Sequence, residues 1–171
     1  MLEILEKEKP NIVITSMYRN PGIYSEGVLL HGDTYDALLQ DGLRKGLVKI
    51  HEVADLLLVI NDTPAPNIDV PESVLKNDNY ISACAVDKRK AAPQFYSLLA
   101  AMTGLDRAYF ADFNGLICPG EVCLPVTDNV LFYRDLNHMT ATYVITLLCA
   151  LNDALDRAIS VCGRKNNGEC F

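Results

Sequence analysis

Basic charge is scarce in this 171-residue sequence: 15 Lys and Arg stand against 22 Asp and Glu, for a net charge of −7. A reader of duplex nucleic acid needs a basic face to neutralise phosphates, so nucleic acid is not an expected partner. The acidic balance also disfavours electrostatic docking on anionic lipid. Long apolar runs are missing too. The longest, Leu56–Ile60 and Val144–Ala150, fall short of the ~20 residues that span a bilayer, and Thr146 interrupts the second. Met1–Lys9 mixes charge with leucine and lacks the uninterrupted apolar core of a secretory signal. Neither a signal peptide nor direct membrane insertion is therefore expected. There is no phosphate-binding glycine loop, no His-Glu-x-x-His and no dinucleotide fingerprint, so no cofactor is implied. Histidine is limited to His31, His51 and His138.

What remains is ordinary globular composition, with 50% hydrophobic and 22% charged residues. That excludes a disordered tether, and the length suits one domain spanning 1–171. Cysteine is the exception, with six residues. Cys118 and Cys123 bracket a Pro-Gly turn that can bring two Cα atoms into disulfide range. Cys162 and Cys170 flank a polar tail and could close a second loop. Cys84 has no near partner, and Cys149 lies in an apolar helical stretch. At least one disulfide and an oxidising compartment are expected. Two alternatives stand beside that reading. Several cysteines could be buried, unpaired small hydrophobes. Cys118, Cys123, Cys162 and Cys170 could also hold zinc, although their spacings are not those of short zinc knuckles.

Apolar patterning orders the chain as strand, helix, strand, helix, strand, helix. Asn11–Ser16, Asp55–Ile60 and Ala108–Asp112 read as strands. Thr34–Ile50, Lys88–Thr103 and Met139–Ile159 read as helices, the first capped by Asp33 or Thr34 and the second ended by Gly104. Asn129–Tyr133 reads as extended. Arg19–Gly27 and the stretch after Asn61-Asp62-Thr63-Pro64 read as loops. Strands apolar throughout, each followed by a helix, indicate a parallel sheet covered on both faces. Ligands bind such sheets at the carboxyl ends of their strands. That places the loops after Ser16, Ile60 and Asp112, and the segment before Met139, on the edge where a site is expected.

One histidine stands out on that edge. His138 follows Asp135 by three residues, so a short turn can carry both side chains together. A carboxylate receiving the Nδ1 proton fixes the tautomer and leaves Nε2 free as a base. The competing reading is a helix-capping aspartate beside a surface histidine.

The stretch Ile117–Leu147, ICPGEVCLPVTDNVLFYRDLNHMTATYVITL, resembles the end of the SGNH domain of bacterial acyltransferase-3-type membrane proteins. The shared pattern is a cysteine-bracketed Pro-Gly loop, a hydrophobic strand with Tyr-Arg-Asp, then Asp-x-x-His-Leu-Thr and a helix, with Met139 here in place of the leucine. Upstream, Pro10–Ser16, Tyr35–Leu47, Leu57–Pro64 and Asn67–Pro71 are similar to further family segments. The resemblance covers about residues 10 to 148 and leaves 149–171 as a chain-specific helix end and tail. It implies a three-layer flavodoxin-like α/β fold of the SGNH-hydrolase type, lacking the first strand and helix. It also implies an O-acyltransferase or esterase at the extracytoplasmic face of a bacterial membrane. The partners would be an acyl donor, acetyl above all, and an envelope glycan, with a membrane acyltransferase domain or a chain carrying the missing block as a further partner. By position, Asp135 would orient His138, and His138 would deprotonate a serine hydroxyl.

The family's Gly-Asp-Ser nucleophile block does not occur in this sequence. Gly32-Asp33-Thr34 imitates it but falls where the resemblance places a helix cap, and the β-methyl of threonine crowds an attacking geometry. Thr34 and Ser16 are the candidate nucleophiles, Ser16 because it ends a strand on the expected edge. Their bland readings are a cap and a turn residue. Asn20 is the candidate oxyanion donor, or simply part of an Asn-Pro-Gly turn. Asn61 and Asp62 reach the same edge. Arg134 would contact a substrate carboxylate or pair with its acidic neighbours. The expectation is an acyl-transfer or esterase domain, left inactive on its own where the missing serine nucleophile block is not replaced. The alternative is a non-catalytic remnant that binds a glycan or a protein.

Overall fold

A computed structural model describes residues 2–17, 22–77, 81–92 and 96–165. In chain order its elements are α1 (Leu2–Glu8), β1 (Ile12–Ser16), β2 (Tyr24–Ser25), β3 (Val28–Leu29), α2 (Gly32–His51) and β4 (Leu56–Ile60). There follow α3 (Val70–Lys76), β5 (Val86–Asp87), α4 (Lys88–Ala91), α5 (Tyr96–Met102), β6 (Ala108–Ala111) and α6 (Asn114–Ile117). The last are β7 (Val122–Cys123), β8 (Val126–Thr127), β9 (Val130–Leu131), α7 (Ala141–Thr146) and α8 (Leu148–Lys165). They fall into two compact units. One comprises Met1–Asp62, Phe95–Ala111 and Ala154–Phe171; the other comprises Thr63–Gln94 and Asp112–Asp153.

The first unit holds the parallel sheet that the apolar runs predict. Its strand order is β1-β4-β6, with Ile12 opposite Leu56, Ser16 opposite Ile60, and Ile60 opposite Ala111. The central strand is apolar from end to end because both of its faces are covered. On one face Leu57 and Val59 pack with Leu47 and Ile50 of α2 and with Leu98, Ala101 and Met102 of α5. On the other, Leu56 packs with Ala158 and Ile159 of α8. The result is a mixed α/β arrangement of helix, sheet and helix. Each fully buried leucine contributes about 2 kcal/mol, so β4 alone anchors much of this core. Ala158 and Ile159 thus supply the packing on that second face.

Local chemistry explains where the elements depart from expectation. Helix α2 begins at Gly32 behind an N-cap at His31 that makes no side-chain capping bond. Asp33 and Thr34 therefore lie inside the first turn and do not cap it. Gly32, at φ +64, takes the chain into the helix in a region that glycine enters at little cost. The helix expected over 88–103 is two helices. Ala92, at φ −132 and ψ 62, leaves helical geometry, as the residue before a proline tends to do. Gly104, at φ +78, follows α5 as expected, and the Arg44 guanidinium closes the end of that helix by donating to the carbonyls of Ala101 and Thr103 at 3.0 and 2.6 Å.

The helix expected over 139–159 also divides, into α7 and α8. The Thr146 hydroxyl donates to the Tyr143 carbonyl at 2.6 Å, competing with the backbone ladder at the break. The extended run at 129–133 shrinks to β9, because Asp128 and Asn129 both adopt positive φ and make a two-residue hairpin turn onto β8. Among the elements in stretches read as loop or left unassigned are α1, the β2–β3 hairpin and α3. Helix α3 has a capping signature in the sequence, since Asp69 accepts from the Glu72 N–H at 2.9 Å and Pro71 follows in the first turn.

The second unit has its own core of Val70, Ile117, Phe132, Tyr133 and Tyr143. Beside it, Ala91 and Val86 pack against Cys118 and Cys123. Those two cysteines form a disulfide, with Cα atoms 4.7 Å apart. The disulfide uses up two of the four thiols that a cysteine-zinc site would need. Cys84 is buried and unpaired and Cys149 is exposed and unpaired. The proposed Cys162–Cys170 pairing lies outside the described residues, because Cys170 is not among them.

Candidate active site

The loop bearing Asp135 and His138 is a narrow hairpin built by backbone bonds. After β9, the Thr140 N–H donates to the Phe132 carbonyl and the Arg134 N–H to the His138 carbonyl, both at 2.9 Å. Tyr133 and Met139 face each other as an antiparallel bridge. Asp135, Leu136 and Asn137 are left at the tip. Two bonds fasten this loop within its unit. The buried Tyr133 hydroxyl donates to the Pro64 carbonyl at 2.7 Å, and the Asn67 N–H donates to the Leu136 carbonyl at 3.2 Å. At the loop's far end Thr140 does two jobs. Its hydroxyl donates to the Leu131 carbonyl at 2.6 Å, and it caps α7 by accepting from the Tyr143 N–H at 3.1 Å. The Tyr143 ring stacks on Phe132 with centroids 3.8 Å apart.

Within that frame Asp135 organises the tip. Its Oδ1 accepts from the N–H of Asn137 at 3.0 Å and of His138 at 2.7 Å. The imidazole Nδ1 of His138 lies 2.8 Å from Oδ2 and 3.0 Å from Oδ1. These donors, the Asn137 N–H foremost, then the His138 N–H and the imidazole, hold the Asp135 carboxyl down at about 2. A carboxylate kept ionised beside Nδ1 favours the proton on that nitrogen. Among the described residues Nε2 has no hydrogen-bond partner, and the side chain is 63% exposed. The pair can thus present an oriented base to a hydroxyl arriving from outside. Asp135 does not cap the following helix, since Thr140 does that.

Apart from Arg134, the remaining candidates lie on other elements of the chain. Arg134 is exposed, with its Nε 3.9 Å from Asp135 Oδ2. Ser16 ends β1 and is exposed, and Thr34 is exposed in the first turn of α2; neither hydroxyl makes a hydrogen bond among the described residues. Asn20 lies outside the described residues. Asn61 follows β4, donates its backbone N–H to the Ala111 carbonyl at 2.7 Å, and buries a side-chain Oδ1 with no partner among the described residues. His51 ends α2 with Nε2 2.9 Å from Asp106 Oδ1, and His31 precedes the same helix. Among the described residues no group of histidine, cysteine and carboxylate side chains is placed to hold a metal, and no helix is long and apolar enough to cross a membrane.

Sequence reasoning missed Tyr133, Thr140 and Asn67, which hold the loop. Thr140 carried a readable signal, a β-hydroxyl residue directly ahead of an apolar helical run. Tyr133 stood out only as part of the Tyr-Arg-Asp pattern, with nothing to show its role, because its partner is a backbone carbonyl 69 residues away.

No protein-family model and no curated protein sequence matches this chain. Among solved structures, it is similar to the periplasmic domain of a lipopolysaccharide acetyltransferase of Salmonella ser. Paratyphi A, with a TM-score of 0.60 and 16% sequence identity. The likeness covers 90% of this chain and 60% of that one, so the chain spans less than two thirds of the similar domain. At that identity the likeness establishes a shared α/β fold.

Proposed function

We propose that this chain carries the acid–base half of an SGNH-type O-acyl transfer site, moving an acetyl or similar acyl group onto a hydroxyl of an envelope glycan on the extracytoplasmic side of a bacterial membrane. The observation that carries the reading is the Asp135–His138 pair, with Nδ1 held at 2.8 Å and Nε2 open. The fold shared with an acetyltransferase periplasmic domain supports it, and the Cys118–Cys123 disulfide suits an oxidising compartment.

In this scheme Nε2 takes the proton from a serine hydroxyl as the oxygen attacks the acyl carbonyl. The tetrahedral intermediate collapses to an acyl-serine and expels the donor's oxygen, which leaves with that proton. A glycan hydroxyl then attacks the acyl-serine, again giving its proton to Nε2, which returns it to the serine. Asp135 holds the ring and stabilises the imidazolium formed in each step. The serine is supplied by polypeptide outside these 171 residues, because no Gly-Asp-Ser string occurs within them.

The test is glycan acetylation in the organism that carries the gene. His138→Ala and Asp135→Asn should each lower base-releasable acetate on the envelope polysaccharide at least tenfold. Acetate at the unmodified level in both variants overturns the reading. Since members of such a triad act as a unit, the isolated 171 residues should hydrolyse p-nitrophenyl acetate no faster than free imidazole. The missing Gly-Asp-Ser string also favours a second reading, a non-catalytic module binding a glycan or a protein. Retention on an envelope polysaccharide column, with acetate unaffected by either substitution, would select it.

A further inference from the structure

Arg134 has no part in the proton transfers described above, yet it stands beside the oriented base. Tyr133 and Met139 bridge the two arms of the hairpin, and the Arg134 N–H donates to the His138 carbonyl at 2.9 Å. Arg134 and His138 are therefore opposite each other, one step nearer the tip. Side chains alternate along each arm, so residues opposite each other share a face, with Cβ atoms ~5 Å apart. Burial agrees. Tyr133 is buried and Met139 packs against the core of its unit, while the Arg134 side chain, at 67%, is as exposed as that of His138. The hairpin turns one face inward and shows a guanidinium and an imidazole on the other.

Asp135 does not use up the guanidinium. Its Oδ2 lies 3.9 Å from the Arg134 Nε, beyond hydrogen-bond reach. The carboxylate already accepts from the N–H groups of Asn137 and His138 and stands 2.8 Å from the imidazole Nδ1. Arg134 Nε and His138 Nδ1 thus flank one oxygen. The guanidinium makes no hydrogen bond among the described residues, and an exposed ion pair at that distance is worth little. Such a planar fork of donors matches the paired oxygens of a carboxylate or phosphate. The chain carries a net charge of −7, so an anionic partner is repelled by most of its surface and drawn to an available cation. The aromatic rings around the loop offer no stacking platform for a neutral sugar. Tyr133 is buried, and Phe132 and Tyr143 are buried against each other.

We propose that Arg134 selects the acceptor by binding a carboxylate or phosphate on the sugar whose hydroxyl meets His138 Nε2, or on the sugar next to it. The inference rests on the acyl-transfer reading and names its acceptor class, an acidic envelope glycan. The order of steps favours the acceptor over the donor. The donor departs once the acyl-serine has formed, whereas the acceptor must be held with its hydroxyl at a base that is open to solvent. One bidentate anchor beside that base fixes which hydroxyl arrives.

The experiment is an NMR titration of the 171-residue chain that follows the Arg134 Nε–H and the His138 ring. The probes are tetragalacturonate, which carries carboxylates, mannose 6-phosphate, and neutral maltotetraose. One or both acidic probes should shift these resonances, and maltotetraose should not; the probe that binds names the anion as carboxylate or phosphate. Arg134→Gln should weaken that binding at least tenfold, and Arg134→Lys, which keeps the charge but not the fork, should fall between. The Asp135 midpoint should stay in place in both variants, because other donors hold that carboxyl. Equal binding of maltotetraose overturns the proposal. So does the absence of a shift with either acidic probe at millimolar concentration, and so does undiminished binding in Arg134→Gln. Tighter binding of coenzyme A, a phosphate-bearing acyl carrier, through Arg134 would assign the residue to the donor and overturn the acceptor role. Failure in these arms leaves the acetate test of His138→Ala untouched. Unaltered acetate in that variant overturns the acyl-transfer reading, and the acceptor role with it, even where an acidic probe binds.

Discussion

Asp135 grips His138 from two directions, accepting from its backbone N–H at 2.7 Å and standing 2.8 Å from its Nδ1. One carboxylate thereby sets both the course of the loop and the aim of the ring. The turn and the oriented base are a single feature, so a substitution that spoils one spoils the other.

That coupling fixes a pH dependence. The carboxyl is lowered from 3.8 to about 2, chiefly by the Asn137 N–H. A carboxyl whose midpoint is lower in the folded state stabilises that state while ionised. Its contribution is fully present above pH about 4 and is lost as pH falls through about 2. Carbon-detected NMR titration of the Asp135 side chain should place its midpoint near 2. Asn137→Pro, which deletes the foremost donor, should raise it, and a midpoint left in the ordinary range in the unmodified protein would refute the loop geometry.

The Tyr133 hydroxyl is a buried strut. Tyr133→Phe leaves the Pro64 carbonyl without that donor in a buried setting, a loss of about 1–3 kcal/mol. Urea unfolding should show a lower midpoint with an unchanged slope. The His138 ring resonances should broaden or shift as the loop loosens, which a purely global destabilisation would not produce under native conditions.

The disulfide should matter to stability more than to chemistry. It closes a short loop with a sequence separation of 5 between partly apolar neighbours. Chain-entropy arguments assign such a loop about 2 kcal/mol. Thermal unfolding of Cys118→Ala/Cys123→Ala should fall by several degrees. The Asp135 midpoint should stay where it is, because neither cysteine touches the Asp135–His138 pair.

Sequence by itself determined the parallel sheet, since continuous apolar runs such as Leu56–Ile60 are stable only when both faces are buried. It likewise put Asp135 within reach of His138 and Cys118 within reach of Cys123 across a Pro-Gly turn, while leaving open a helix-capping aspartate and a zinc-bound or unpaired cysteine. Those features depend on neighbours a few residues apart, or on burial that composition records. Tertiary structure alone decided that Tyr133 reaches the Pro64 carbonyl and that Ala158 covers the second face of the sheet. Each of these depends on which distant segment arrives as a neighbour. Local propensity and periodicity do not encode that choice, whereas packing between elements far apart in the chain does.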